Sequence, residues 1–226
     1  MLIDNERGEY TLYEWIIENT REGELDIVTG YFTIGALNFV SEKLNDTVEK
    51  FHFILGDFVS RDEQKEHGVD LLNEELTSEG AFQLSKAART AVDFLKQDKV
   101  SIKTLEPNFC HAKAYLYDNK NKKQKKDSWF ITGSSNLTEA GIGLRKNQNA
   151  ELNIADTGMA AQFDEIKSWF ANIWNSDKAK ESIEITNPVN GHKEKKNFKE
   201  YLIEEIQKIF KIYTPSEVYY KILFEL

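Results

Sequence analysis

Two apolar runs, ELDIVTGYF at 24–32 and KFHFILG at 50–56, read as strands, and the segment between them, 34–45, reads as a helix. A helix over 11–22 precedes them, with Leu12, Trp15, Ile16 and Asn19 on one face. Further on, AFQLSKAARTAVDFLKQD at 81–98 has helical spacing and KVSIKTLE at 99–106 reads as a strand. Helix and strand in alternation constrain the chain to an α/β layered fold, in which helices cover a sheet. Residues 57–79 are charged and weakly patterned, and read as a loop with a short helix near 64–76.

The stretch FCHAKAYLYD at 109–118 poses a chemical question. In a strand, His111, Lys113, Tyr115 and Tyr117 point one way, and Cys110, Ala112, Ala114 and Leu116 the other. The second set is small and apolar enough to pack on a core. A lysine is rarely buried without a partner, so the first face either meets water or holds an anion. A polar, lysine-rich segment follows, then DSWFIT at 127–132, the pattern of a β-hairpin with a long tip. GSSNLTEAGIG at 133–143 reads as a loop of small residues. NAELNIAD at 149–156 alternates, with Ala150, Leu152 and Ile154 expected inward and Asn149, Glu151 and Asn153 on the polar face. An amphipathic helix over 160–176 turns Phe163, Ile166, Phe170 and Trp174 inward.

Composition bounds the alternatives. The chain has 226 residues, 40% hydrophobic and 30% charged, enough for a packed core under a polar surface. No run approaches the ~18–20 apolar residues of a membrane span, and the first residues lack the order of a signal peptide. One cysteine excludes an internal disulfide, which fits a cytoplasmic protein. A net charge of −9 argues against nonspecific coating of nucleic acid, but leaves room for a local basic groove. NKNKKQKK at 119–126 and HKEKKNFK at 192–199 are the two basic clusters. Solvated loop or linker is the plainer reading of both. Lys120, Lys122, Lys123, Lys125 and Lys126 stand as possible nucleic-acid contacts.

Reading on from His111 gives Lys113 and Asp118, then Gly133, Ser134 and Asn136, then Glu151. HAKAYLYD followed by GSSN resembles the signature of the phospholipase D superfamily, H-x-K-x4-D followed by G-S-x-N. The first half matches residue for residue. Between the halves the spacing is longer than the family's, and the excess falls in the lysine-rich tip. The resemblance implies a phospholipase D-like layered sheet with helices on both faces over 1–176; outside it, residues 177–226 read as a linker and helical extension.

The residue types suit phosphodiester cleavage without a metal or other cofactor. Such cleavage needs a nucleophile, a proton donor for the leaving oxygen and fixed positive charge on the phosphoryl oxygens. His111 would attack as a neutral imidazole and become a phosphohistidine, while Lys113 clamps the same phosphate. Ser134 and Asn136 would donate further hydrogen bonds from the loop, and Glu151 would hold the far nitrogen of His111. The resemblance implies the same roles, with Asp118 and Gly133 as structural support of the motif. The other histidines and the acids have no metal-ligand spacing, and no Walker-type loop is present.

One histidine cannot act as nucleophile and general acid at the same moment. No second H-x-K follows from His52, His67 or His192, so a homodimer with two facing His111 side chains is the expectation. Nucleic acid, DNA foremost, is the favoured substrate over lipid, because no amphipathic membrane-binding helix is evident. The rival is a non-catalytic module that docks nucleic acid and dimerises.

Residues 177–197 lack a periodic face and read as a linker. Two short helices follow at 196–210 and 214–226, the second with Thr214 as N-cap and Pro215 at its first position. The apolar ending reads as the front piece of a longer chain. TPSEVYYKILFEL resembles the segment that joins such domains to helicase motors, which implies a helicase-type C-terminal region as partner.

Overall fold

The computed structural model describes residues 1–4, 10–56, 78–107, 110–121, 125–144, 150–186 and 191–212, with backbone alone for 78–85 and 209–212. The short helix expected near 64–76 and the helix at 214–226 lie outside them. Strands β1 (Leu2–Asp4), β2 (Gly23–Thr29), β3 (Val48–Leu55), β4 (Val100–Leu105), β5 (Ala114–Asn119), β6 (Trp129–Gly133), β7 (Leu152–Thr157) and β8 (Ala179–Lys180) form one sheet. Its order is β1-β7-β6-β5-β2-β3-β4-β8. The β2–β3 and β3–β4 pairs are parallel and the rest antiparallel. A separate hairpin joins β9 (Ser182–Thr186) to β10 (Lys193–Asn197).

Helices α1 (Leu12–Asn19), α2 (Ile34–Leu44), α3 (Ser78–Leu95) and α5 (Phe198–Ile212) pack on one face, and α4 (Ala161–Trp174) on the other. The starts of α1 and α2 follow from local chemistry. Thr11 and Glu14 form a capping box, and Thr33 accepts from the Ala36 amide. The alternation of the FCHAKAYLYD stretch holds, but both of its faces are covered. Tyr115 and Tyr117 enter the larger core with Ile27 and Phe53. Cys110, Ala114 and Leu116 join Phe163 and Phe170 beneath α4. Burial raises the Cys110 thiol above its ordinary range.

Two expectations are corrected. The stretch read as a linker, 177–197, carries β8, β9 and β10. After it, Phe198, Leu202 and Ile206 of α5 enter the same core as α1–α3. Lys199 Nζ then donates to the carbonyls of Gln97 and Val100 at 2.9 and 2.8 Å, fastening α5 to the turn between α3 and β4. Charge and proline concealed a local hairpin, β9–β10, and a short strand, β8, whose partner β4 is distant in sequence.

The second correction concerns β7. Asn153 and Ala155 point inward, whereas Leu152 and Ile154 are 57% and 53% exposed. Asn153 is needed inside, because its Oδ1 accepts from the Ser135 amide at 3.3 Å and its Nδ2 donates to Ser135 Oγ at 2.9 Å. A buried loop must find hydrogen-bond partners, and one inward residue sets the face of every other in a strand. Leu2 of β1, paired with Ile154 and 61% exposed, extends the outward apolar strip. Among the described residues no helix is long and apolar enough to cross a membrane.

Candidate active site

The last paired residues of β2 and β5 are Val28 and Ala114, so Thr29–Tyr31 and His111–Lys113 leave the same edge of the sheet side by side. This edge is the C-terminal end of the parallel strands, where open α/β sheets bind ligands. Lys113 is 9% exposed. Its Nζ lies 3.1 Å from His111 Nε2 and donates to the His111 carbonyl at 2.8 Å. An ammonium can only donate, so a hydrogen bond between the two would need the His111 tautomer whose Nε2 accepts, the form a nucleophile requires.

Burial holds the Lys113 ammonium below the usual lysine range, against the opposing pull of Cys110 and Glu151. Among the described residues no carboxylate forms a salt bridge with it. A desolvated cation with no direct salt bridge to a described carboxylate is a favourable seat for an incoming phosphate.

The GSSN loop is fitted around this pair. Thr132 Oγ1 and the Gly133 amide both donate to the Lys113 carbonyl, at 3.1 and 3.4 Å. A Cβ on Gly133 would stand 2.3 Å from the Leu152 carbonyl oxygen, so only glycine admits β7 this close. Ser134 differs from its expected role. Its hydroxyl donates to Glu151 Oε2 and accepts from the Leu152 amide at 3.0 Å, so its one proton is committed to the carboxylate. Asn136 is aimed by the backbone: its Oδ1 accepts from the Tyr31 amide at 3.2 Å, with Thr29 Oγ1 at 3.3 Å. The donor facing Oδ1 fixes the amide's orientation and leaves the Nδ2 protons outside these contacts.

Four residues that the sequence reading passed over complete the arrangement. Thr29, fully buried, sends its hydroxyl proton to the Tyr31 carbonyl at 2.6 Å and accepts from the Leu137 amide at 3.0 Å. Tyr115 OH donates to the Ser135 carbonyl at 3.2 Å. Burial, then the charge of Glu151, raises that phenol far above its ordinary range, keeping it a donor. Asn153 and Tyr31 are the others. A polar run directly after an apolar strand, VTGYFT at 28–33, was the available signal.

The remaining predicted residues lie elsewhere. Asp118, near the far end of β5, is bound by Lys167 of α4 and lies 3.4 Å from Ser128 Oγ, a tie between helix and sheet. Lys120 pairs with Glu49, and Lys125 with Asp164 at 3.0 Å. At about 3.3 Å per strand residue they stand on the order of 25 Å or more from His111. Lys126 is on the same short turn as Lys125, while Lys122 and Lys123 lie outside the described residues. His52 pairs with Asp26 at 2.7 Å beside Trp174, a satisfied structural histidine. Among the described residues no cluster of histidine, cysteine and acids could hold a metal.

Comparison with known proteins agrees with this geometry. The family described as "Cardiolipin synthase, PLD-like domain" matches residues 16–174, and the chain belongs to this phospholipase D-like family. No curated protein matches the chain significantly. Among solved structures it is similar to Nuc, a phospholipase D family member from Salmonella typhimurium, at 12% identity and a TM-score of 0.50. That match covers 80% of this chain and 95% of Nuc. NucT from Helicobacter pylori gives 11% identity and a TM-score of 0.48 over 79% of this chain and 96% of that one. The Nuc match concerns the fold alone.

Proposed function

We propose that the chain is a metal-independent phosphodiesterase, specifically a nuclease, acting through a phosphohistidine at a homodimer interface. The observation that carries this reading is the buried Lys113, whose Nζ lies 3.1 Å from Nε2 of His111. A phosphate seated on Lys113 and the Asn136 amide would present phosphorus to that lone pair. In the first step the N–P bond forms and the P–O bond to the leaving group breaks. The leaving oxygen takes its proton from a protonated His111 of a second copy. In the second step that histidine takes a proton from water, whose oxygen displaces His111 from phosphorus. Glu151, steadied by Ser134, serves to orient the imidazole.

Three observations support a second copy: the chain has one H-x-K, the leaving group needs an acid, and an apolar strip borders the site. Leu152 and Ile154 follow Glu151 directly, and Leu2 lies beside Ile154, an uncovered face suited to a twofold contact. Ile154→Asp should yield monomers with little activity in analytical ultracentrifugation and parallel assays. Wild-type protein that cuts as a monomer would remove the shared site from the mechanism.

DNA is the phosphodiester substrate we favour over lipid, since among the described residues no helix is long and apolar enough to cross a membrane. A helicase-type neighbour rests on the resemblance of residues 214–226 alone. The test is cleavage of bis(p-nitrophenyl) phosphate and DNA in EDTA by wild type and His111→Ala, with a denaturing alkaline quench to trap phosphoenzyme. Chelator-resistant cleavage and a base-stable, acid-labile phosphoprotein, both absent from the variant, are expected. DNA binding and dimers without any cleavage would point instead to a docking module.

A further inference from the structure

We infer that Glu139 is a positioning residue of this site: its carboxyl, seated over Gly35 at the start of α2, fixes the loop that aims the Asn136 amide. The inference deepens the phosphodiesterase reading and rests on it for the role of Asn136, but it concerns two residues outside the H-x-K and GSSN signatures.

Two stretches distant in sequence run side by side here. The Leu137 amide donates to Thr29 Oγ1 at 3.0 Å, and the Tyr31 amide to Asn136 Oδ1 at 3.2 Å. Phe32 and Leu137 form a parallel bridge, and the Thr33 amide donates to the Leu137 carbonyl at 3.1 Å. The Glu139 amide then donates at 3.2 Å to Oγ1 of Thr33, the N-cap of α2. Residues 136–139 are thus held at one end by β2 and at the other by the start of α2. Both anchors are firm, since Thr29 is fully buried and Ile34, Ala36, Leu37 and Phe39 of α2 lie in the core.

The side chain of Glu139 closes the second anchor. A Cβ on Gly35 would stand within 2.6 Å of all three atoms of the Glu139 carboxyl group, so the carboxyl fills the space that a side chain at 35 would take. Glycine within a helix is less stable than alanine, and this contact accounts for its presence in α2. The first amides of a helix have no partner inside it and form the positive end of its dipole. The first turn of α2 has no acid of its own, whereas α1 has Glu14 in its capping box. Glu139 brings the missing carboxyl from the loop. Burial raises that carboxyl above its ordinary range, the mark of a group held away from water. Asn136 stands three residues before it, so a shift of Glu139 turns the amide out of line, and reacting groups tolerate little misplacement.

The experiment measures kcat, KM and Tm on bis(p-nitrophenyl) phosphate in EDTA for Glu139→Ala, Glu139→Gln and Gly35→Ala, each with and without Asn136→Ala. Glu139→Ala should lower kcat by roughly tenfold with KM little altered, because Lys113 is untouched. Gly35→Ala should cost about as much while Tm holds or rises, since its methyl displaces the carboxyl and alanine favours the helix. Glu139→Gln, which keeps the shape and an acceptor, should stay within about threefold of wild type. On Asn136→Ala each further substitution should change kcat by less than about twofold, which a merely structural role would not give. Wild-type kcat in Glu139→Ala or Gly35→Ala, or equal losses with and without Asn136, would overturn the inference. The NMR signal of the Asn136 side-chain amide, identified by its absence from Asn136→Ala, is read in parallel. If the wild type cleaves nothing, the nuclease reading fails and this signal decides alone. Its movement in both Glu139→Ala and Gly35→Ala then upholds the positioning, and its constancy overturns it.

Discussion

Both ends of β5 carry lysines, and they have opposite fates. At the N-terminal end Lys113 is buried, lacks a carboxylate counterion among the described residues and faces the imidazole of its own motif. At the C-terminal end Lys120 and Lys125 are more than half exposed and paired with Glu49 and Asp164. An exposed pair gains little, because water already solvates both charges. A desolvated ammonium is destabilising until an anion arrives, which makes it useful for binding one. Lysine count draws attention to the far end of the strand, whereas burial singles out Lys113 at the near end.

The contrast can be broken most severely at His111. His111→Ala should lower phosphodiester cleavage by at least about 10³-fold, since a lost nucleophile leaves only binding and polarisation. Circular dichroism and Tm should stay unchanged, because the ring is exposed. Cleavage by this variant within tenfold of wild type would exclude the histidine nucleophile.

Lys113→Met comes next, with about a 10²- to 10³-fold loss in kcat, the range for removing one preorganised electrostatic contact. The same variant should melt a few degrees higher, because it relieves a buried charge. Lower Tm together with lower activity would mean that Lys113 is mainly structural. The pH profile sharpens the point. The working form of Lys113 is the ammonium, and its pKa is lowered by burial, so activity should fall on the alkaline side earlier than for a free lysine. For stability the sign is reversed. The unfolded chain holds that proton more tightly, so the penalty of burying Lys113 is present at neutral pH. It fades as pH rises from the lowered folded pKa to the ordinary lysine value. Lys113→Arg should move the alkaline limb upward, since a guanidinium stays charged.

A smaller loss should follow from loosening Asn136. Thr29→Val removes, without changing shape, the hydroxyl that holds the Tyr31 backbone whose amide aims Asn136, and should reduce kcat by roughly tenfold with KM little altered. Asn136→Ala should cost more than Thr29→Val, and adding Thr29→Val to it should cost little further, the sign of one shared function. Additive losses would separate the two residues. The smallest effect belongs to the far end: Lys120→Gln and Lys125→Gln should each change stability by less than about 0.5 kcal/mol and cleavage by less than about twofold. A tenfold loss on DNA, absent on bis(p-nitrophenyl) phosphate, would restore this turn as a nucleic-acid contact.

Much of this molecule was legible in local pattern. Apolar periodicity located β2, β3, β4 and the helices, as it did Phe163 and Phe170 of α4, because those segments face a core over their whole length. H-x-K with GSSN marked the site, since side chains two apart on an extended chain stay together whatever surrounds them. Other features depend on partners far away in sequence. The face of β7 follows from a hydrogen bond 18 residues away, between Asn153 and Ser135. The strands in 177–197 are held by pairing with one another and, for β8, with β4. Asn136 is aimed by the amide of Tyr31, 105 residues earlier in the chain.

The sequence by itself determined the layered fold and which residue types the motif brings together, because periodicity and short-range spacing are properties of the local chain. Only the tertiary structure decided which lysine is buried beside the imidazole, which face of β7 is buried and which backbone amide aims Asn136. Those outcomes depend on desolvation and on hydrogen bonds between distant segments, and neither exists until the chain has closed.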